Sequence, residues 1–183
     1  MDIYIIKPVI EDSNKLVQLF KNSITDAFVK ENINDPKSIN TEYQTQINRI
    51  NRYFEDDYNY YYYLTARNRN KILGTIAYGP ASDIIVQNYP AVQNIPEIMS
   101  VYIMPRFQRM GIGSLLFNSI LITLLCKDIT EFCLDSGYHR AQQYWIKKLG
   151  DPVKVLEDYW NKGGHHMIWH KKIKDITIKY KLK

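Results

Sequence analysis

One stretch of this sequence, residues 97–125, constrains the fold more than any other. It begins with an apolar, β-inclined segment that ends at Pro105, whose ring cannot continue a sheet ladder. A turn containing Gly111 and Gly113 follows, and the apolar segment from Leu115 to Leu125 predicts a buried helix. The predicted order is therefore a strand, a glycine turn and a helix start. Such a helix start leaves main-chain N–H groups unpaired, and the helix dipole favours an anion beside them.

Two better-known glycine motifs do not match this turn. The Walker pattern requires a lysine directly after its second glycine, and Ser114 follows Gly113 here. The dinucleotide fingerprint requires glycine or alanine at the position that Leu116 occupies. The turn alone is also compatible with a helix N-terminus that uses its glycines only for tight packing.

The bulk properties predict one globular domain over residues 1–183. Of the 183 residues, 45% are hydrophobic and 23% are charged, as in ordinary globular proteins. No apolar run approaches the about 20 residues that span a bilayer, and Asp2 argues against a signal peptide. We therefore expect no membrane association and a cytoplasmic location. Cys126 and Cys133 fall inside apolar segments and are predicted to be buried thiols of a reducing compartment.

The charge pattern favours neither nucleic acid nor a metal ion as a ligand. The net charge is +5, but the basic residues are dispersed, so we expect only a general attraction for anionic ligands and no nucleic-acid partner. His165, His166 and His170 lie close together. On a strand, however, His165 and His166 point to opposite faces, and no cysteine or carboxylate falls at ligand spacing nearby. We therefore expect no metal site.

Hydrophobic periodicity predicts two helices after a short strand at residues 3–6. The apolar residues of the first helix recur at steps typical of one buried face, and so do those of the second after the break at Pro36. The predicted faces are Leu16, Phe20, Ile24, Ala27 and Phe28 in the first helix, and Ile39, Tyr43, Ile47, Ile50 and Phe54 in the second.

The other elements are predicted from turn signals and β-inclined runs. A tyrosine-rich hairpin (58–65 and 71–78) is followed by a loop (79–96) that is long enough for the substrate side of a site. After residue 125 the pattern predicts a strand (131–135), a helix (139–149) and a hairpin (153–160 and 167–174).

Residues 102–113, YIMPRFQRMGIG, resemble the acetyl-CoA motif of the GNAT N-acetyltransferase superfamily. That motif has hydrophobic-x-Val-x-Pro on a strand, followed by Gln/Arg-x-x-Gly-x-Gly/Ala. The second part is matched in full, and Ile103 stands where valine is usual. The element order β-α-α-β-β-β-α-β-α-β-β is also similar to that of the family. The resemblance implies an α/β (α+β, mixed-sheet) GNAT fold over nearly the whole chain.

The resemblance also implies acetyl-CoA as co-substrate, without a metal. Main-chain N–H groups of Val101, Tyr102 and Ile103 would polarise the thioester carbonyl. The pyrophosphate would lie on the turn, with Arg106 or Arg109 adding positive charge. The turn residues implied in cofactor binding are Gln108, Arg109, Met110, Gly111, Ile112, Gly113 and Ser114.

Two side chains are implied in catalysis. Glu97 begins the central strand at an offset from Gln108 that is similar to that of the base in histone-acetyltransferase-type relatives. A solvated strand-end carboxylate, with a water chain as the base, remains the alternative. Tyr144 is the candidate acid for the thiolate, with Tyr138 second. Residues 138–150 resemble the family pattern Asn-x-x-Ala-x-x-Phe-Tyr-x-x-Leu-Gly with one extra residue, and a core aromatic is the alternative for Tyr144.

These observations predict an N-acetyltransferase that moves an acetyl group from acetyl-CoA directly to a primary amine. The acceptor is expected to be a small molecule, with a protein N-terminus or lysine side chain as the alternative. A non-catalytic acyl-CoA-binding module is the rival from another class, and a homodimer is left open.

Overall fold

The computed structural model describes residues 2–55 and 60–180, and it confirms the predicted mixed α/β fold. The described strands form a mixed sheet in the order β1-β2-β3-β4-β5-β7-β6. The strands are β1 (Tyr4–Ile6), β2 (Tyr62–Asn68), β3 (Lys71–Gly79), β4 (Glu97–Ile103), β5 (Glu131–Ser136), β6 (Lys154–Asn161) and β7 (Gly164–Lys172). The helices are α1 (Ser13–Lys30), α2 (Pro36–Glu55), α3 (Asp83–Asn88), α4 (Ile112–Leu125) and α5 (His139–Leu149).

The chain divides into two compact units that are both discontinuous in sequence. Unit 1 comprises the described residues of 1–78, 100–123 and 179–183, and unit 2 comprises 79–99 and 124–178. The division falls inside β4 and inside α4, so each of these elements contributes residues to both units.

In unit 1, α1 buries the face that the sequence predicts. Leu16, Phe20 and Ile24 are at most 1% exposed, Phe28 is also buried and Ala27 is half-buried. The helix is anchored at its start by Asp12, whose carboxylate accepts hydrogen bonds from the Val9 N–H and from the guanidinium of Arg67. The predicted amphipathic pattern of α1 is therefore confirmed.

The buried face of α2 differs from the predicted one. Ile50 is fully buried as expected, but its buried neighbours are Gln46 and Tyr53. The predicted face residues Ile39, Tyr43, Ile47 and Phe54 are only half-buried. The helix is rotated relative to the expectation because Gln46 can be buried with its amide oxygen and nitrogen both hydrogen-bonded. The oxygen accepts from Ser100 of β4, and the nitrogen donates to Glu42 of the same helix.

The hairpin of unit 1 begins later than predicted. β2 starts at Tyr62 and extends to Asn68, while Tyr58 lies outside the described residues. The strand pairs antiparallel with β1 and β3. Tyr63 is fully buried and its ring lies 5.1 Å from that of Tyr53, so these two tyrosines pack against each other.

In unit 2, the predicted loop at residues 79–96 contains the short helix α3. Asp83 occupies the first turn of this helix, where a negative charge favours a helix start, and Ser82 is the N-cap residue, although its hydroxyl makes no capping hydrogen bond. Ile85 of α3 is fully buried in a cluster with Val92, Cys133 and Ile168. The prediction of an irregular loop was wrong because these apolar side chains fold the segment onto a core.

The rest of unit 2 follows the prediction closely. β4 and β5 pair in parallel at Glu97 and Cys133, and β5, β7 and β6 pair antiparallel. Cys133 is buried as expected, whereas Cys126 is exposed because α4 ends one residue before it. Among the helices in the described part of the chain, none combines the length and apolarity needed to cross a membrane.

Candidate functional site

The glycine turn before α4 presents a row of main-chain N–H donors that are not used by the helix. Leu115 N–H makes the first bond into the helix, to the Gly111 carbonyl at 3.0 Å. Within the described chain, the N–H groups of residues 111–114 have no hydrogen-bond partner. They lie at the positive end of the α4 dipole, so the turn is chemically suited to an anion.

The backbone of the turn keeps these donors open. Arg109 and Gly111 both have left-handed φ angles, of 62° and 88°. A Cβ added at Gly111 would meet no atom within 4 Å, and one at Gly113 would lie 3.9 Å from Ile103 Cγ1. The glycines are thus not needed for packing inside the protein, which contradicts the tight-packing alternative. The Arg109 side chain is exposed, and the Arg106 guanidinium lies 4.7 Å from the ring centre of Phe107.

Gln108 uses its side chain to anchor the turn. Its amide nitrogen donates to Asp26 Oδ2 at 3.1 Å and to the Ile103 carbonyl at 3.2 Å, and its amide oxygen accepts from Lys30 Nζ at 2.8 Å. Lys30 also pairs with Asp26 at 2.6 Å. The side chain of Gln108, a predicted cofactor-binding residue, therefore ties the end of β4 to α1.

The part of β4 in unit 1 is held by a network of buried polar groups. Ser100 adopts a φ of 52° in mid-strand, and its hydroxyl contacts Tyr63 Oη at 3.1 Å and Gln46 Oε1 at 2.7 Å. Thr75 Oγ1 donates to the Ser100 carbonyl at 2.8 Å. Burial raises the pKa of Tyr63 to about 12, so its hydroxyl stays protonated at neutral pH.

The predicted thioester-binding residues Val101, Tyr102 and Ile103 follow directly on the strand, and all three are half-buried. Ser23 Oγ donates to the Ile103 carbonyl at 3.2 Å, and the Tyr102 ring packs edge-on against Phe20. Both α1 contacts fix this segment of β4.

Sequence reasoning missed the partner of Tyr102 on α2. The Tyr102 hydroxyl donates to the carboxylate of Glu42, which also accepts from Gln46 Nε2 at 3.1 Å. The available signal was the spacing of Glu42 and Gln46, which places both on one helix face.

Glu97, in unit 2, is not the solvated carboxylate of the alternative interpretation. Its side chain is 3% exposed, and its Oε2 accepts a 2.7 Å hydrogen bond from the Ser82 N–H. Burial, followed by the nearby negative charges of Glu97 and Asp135, raises the pKa of the Cys133 thiol. Cys133 therefore stays a protonated thiol.

Tyr144, also in unit 2, is 37% exposed on α5 and is not a core aromatic. Its ring lies 4.8 Å from that of Trp145, which takes the buried position instead. Tyr138 is half-buried at the N-cap of the same helix, and its carbonyl accepts the N–H of Gln142. Of the two tyrosines, Tyr144 has the more accessible side chain.

The three histidines of β7 are bound by hydrogen bonds of their own. His166 is buried between Asp135, at 3.0 Å, and the Trp160 indole N–H, at 3.2 Å, while the side chain of His165 is 41% exposed on the other face. His170 contacts Glu131 at 2.8 Å. No group of three or more potential metal ligands occurs within residues 2–55 and 60–180.

The predicted site residues thus divide between the units. Unit 1 contains β4 from Val101 to Ile103 and the turn from Gln108 to Ser114, together with Glu42. Unit 2 contains Glu97, Tyr138 and Tyr144.

A family model, the acetyltransferase (GNAT) family, matches residues 23–150. No curated protein matches the chain significantly in sequence. Among solved structures, the PaiA N-acetyltransferase of Thermoplasma acidophilum in complex with coenzyme A has a TM-score of 0.68 at 20% identity, covering 94% of this chain and 99% of that one.

Two other solved structures are similar over almost their whole length. The ribosomal-protein-S18-alanine N-acetyltransferase of Escherichia coli has a TM-score of 0.62 at 12% identity and covers 100% of this chain and 99% of its own. An aminoglycoside 6'-acetyltransferase type Ii has a TM-score of 0.63 at 15% identity, with 94% and 97% covered.

Proposed function

Because the chain belongs to the GNAT acetyltransferase family and is an acyl-CoA-dependent N-acetyltransferase, we propose that it transfers an acetyl group from acetyl-CoA to the primary amine of a small molecule. In direct transfer the amine nitrogen attacks the thioester carbonyl carbon and the C–S bond breaks. The amine loses a proton to a base, and the CoA thiolate takes up a proton.

The observation that carries the cofactor assignment is the row of unpaired N–H groups at residues 111–114. A pyrophosphate can accept hydrogen bonds from several of them at once and gains from the helix dipole. The open space at Gly111 and Gly113 lets the phosphates approach the main chain. The Thermoplasma structure, which contains coenzyme A, supports the same cofactor.

The proposed catalytic roles follow the needs of the reaction. Main-chain N–H groups of Val101 to Ile103 stabilise the charge that develops on the carbonyl oxygen. Glu97 accepts the amine proton, and Tyr144 supplies a proton to the thiolate. The burial of Glu97 and the exposure of Tyr144 support these roles, because a base works best in a site shielded from water and an acid must reach the leaving group.

The acceptor assignment has one alternative. The similar structures include an aminoglycoside 6'-acetyltransferase and a ribosomal-protein-S18-alanine N-acetyltransferase. A small amine is our proposal, and a protein N-terminus or lysine side chain is the second candidate.

Calorimetry with acetyl-CoA tests the cofactor site, and Gly113→Asp is the sharpest variant. The new Cβ meets only an ordinary contact at 3.9 Å, and a carboxylate in the first turn of a helix favours the fold. We therefore expect an unchanged or higher Tm together with acetyl-CoA affinity weakened at least about tenfold, because the carboxylate repels the pyrophosphate. Gly113→Asn, which adds the same bulk without charge, should weaken binding less. A native protein that does not bind acetyl-CoA would overturn the proposal.

Steady-state kinetics test the catalytic roles. Glu97→Gln should lower kcat by at least about 100-fold and remove the acidic limb of the pH–rate profile. Tyr144→Phe should lower kcat with little change in the acetyl-CoA Kd. Unchanged kcat and pH profile in Glu97→Gln would assign the base role to water and leave Glu97 with its structural bond to Ser82.

A further inference from the structure

The hydrogen bonds of the polar network in unit 1 all run in one direction, from donor to acceptor, and end on Glu42. The Ser100 hydroxyl donates its one proton to Gln46 Oε1, so Tyr63 must donate to Ser100. This fixes the Gln46 amide, whose nitrogen then donates to Glu42 Oε1. The Tyr102 hydroxyl donates to the same oxygen. The final acceptor of this chain of hydrogen bonds is a carboxylate.

The second carboxylate oxygen of Glu42 is left for a ligand. Both hydrogen bonds fall on Oε1, and within the described chain Oε2 has no partner. Glu42 is half-buried, so part of the residue reaches the surface. No lysine, arginine or histidine of the described residues pairs with Glu42. A half-buried carboxylate that is oriented by neutral donors and not neutralised by a cation is suited to bind one.

The position of Glu42 relates it to the reaction. Its partner Tyr102 belongs to the β4 segment whose main chain we assign to the thioester carbonyl. The Tyr102 ring is fixed by Phe20, and its hydroxyl by Glu42, so the carboxylate is held to this segment by a rigid side chain.

We propose that Glu42 binds a positively charged nitrogen of the acceptor other than the amine that is acetylated, and that the substrates are primary amines with a second alkylammonium group, selected by this carboxylate. The inference rests on the proposed acetyl transfer and names the substrate class of the same site. Glu42 is therefore a binding residue, and it contributes to the affinity for the acceptor.

The variant Glu42→Gln separates this role from a structural one. Glutamine has the same shape, and its side-chain oxygen can accept from both Gln46 and Tyr102, so the network is preserved while the charge is lost. The probe is 1,4-diaminobutane, titrated calorimetrically into the CoA-bound protein and then supplied as acceptor with acetyl-CoA. We expect Kd and KM for the diamine to rise about 10- to 100-fold, with kcat within about twofold and the acetyl-CoA Kd unchanged.

Two further variants serve as controls. Tyr102→Phe keeps the charge of Glu42 and removes one orienting donor, so its effect on KM should be smaller, about threefold. Glu157→Gln, at an exposed glutamate of β6, makes the same change of charge and should leave the diamine constants unchanged.

The outcomes distinguish this inference from the proposed function. A native protein that does not bind acetyl-CoA overturns the proposed function. If acetyl-CoA binds but 1,4-diaminobutane does not, or if Glu42→Gln binds and acetylates the diamine as the native protein does, the inference about Glu42 is overturned and the cofactor assignment stands.

Discussion

The hydroxyl of Ser100 donates a 2.7 Å hydrogen bond to the side-chain oxygen of Gln46 and thereby ties the left-handed residue of β4 to α2. A positive φ in a non-glycine residue is unfavourable, and it persists where the surroundings hold it. Ser100 is held in this conformation through its side chain and through its main chain, because its carbonyl also accepts a hydrogen bond from the Thr75 hydroxyl.

Replacing Ser100 should separate backbone strain from the loss of hydrogen bonds. Ser100→Ala leaves Tyr63 and Gln46 without their buried partner, and we expect a loss of about 1–3 kcal/mol in the free energy of unfolding. Ser100→Gly loses the same bonds but accommodates the positive φ, so it should be less destabilising than alanine by about 1 kcal/mol. Urea denaturation of both variants measures the difference. Equal losses would mean that Ser100 is not strained.

Gly74 of β3 should not accept a side chain. A Cβ at this position would lie 2.5 Å from Ile103 Cδ1 and 2.9 Å from the Tyr102 carbonyl oxygen, and the latter is main chain that cannot move aside cheaply. We expect Gly74→Ala to lower the free energy of unfolding by about 1–3 kcal/mol. Thermal unfolding should compare it with Gly113→Ala, where a Cβ has room. A destabilisation no larger than that of Gly113→Ala would contradict the packing argument.

Asp12 should make the stability dependent on pH at the acid end. Burial raises its pKa, but hydrogen bonds from Arg67 and Val9 and the charges of Arg67 and Lys15 outweigh burial and lower the pKa below its ordinary value of 3.8. The stabilisation is therefore complete above about pH 4 and is lost as the pH falls through the folded-state pKa.

The test is denaturation of the native protein and Asp12→Asn across pH 2–7. At pH 7 the variant should be less stable by about 3 kcal/mol, because Arg67 is left without its buried partner. The difference should shrink towards zero at the lowest pH, where Asp12 is protonated in the native protein too. A difference that does not change with pH would exclude the ion pair as its source.

Gln108 should affect cofactor binding through the shape of the turn. Gln108→Leu removes the bonds to Ile103, Asp26 and Lys30 but leaves the Asp26–Lys30 pair in place. We expect a several-fold weaker acetyl-CoA affinity, because the turn is less well held, and a loss of about 1 kcal/mol in stability. Gln18→Leu, at an exposed glutamine of α1 that bonds Asn22, is the matched control for both measurements. Unchanged acetyl-CoA affinity in Gln108→Leu would show that the turn keeps its shape without the anchor.

The sequence predicted the elements whose signals are local. Pro105 and the glycines mark the end of β4 and the start of α4 independently of tertiary contacts. Both predicted boundaries lie within a few residues of the observed ones. The N-cap signal at Ser82 and Asp83 was also local, but a helix of 6 residues is too short to show a periodic pattern.

The candidate site was predictable only in its main-chain part. The burial of Gln46 depends on a hydroxyl 54 positions away in sequence, and no local rule places a serine at positive φ in mid-strand. The orientation of Glu42 depends on Tyr102, which is 60 positions away. Such pairings of polar side chains arise from tertiary structure, and hydrophobic periodicity does not contain them.

The two thiols of this protein differ enough to be chemically distinguishable. Cys133 is buried and its pKa is raised, whereas Cys126 lies exposed just beyond α4. Since the thiolate is the nucleophile that attacks maleimides and spin-labelling reagents, these reagents should modify Cys126 selectively in the folded protein. The native chain therefore carries its own attachment point for a fluorescent or paramagnetic reporter, without any engineered cysteine.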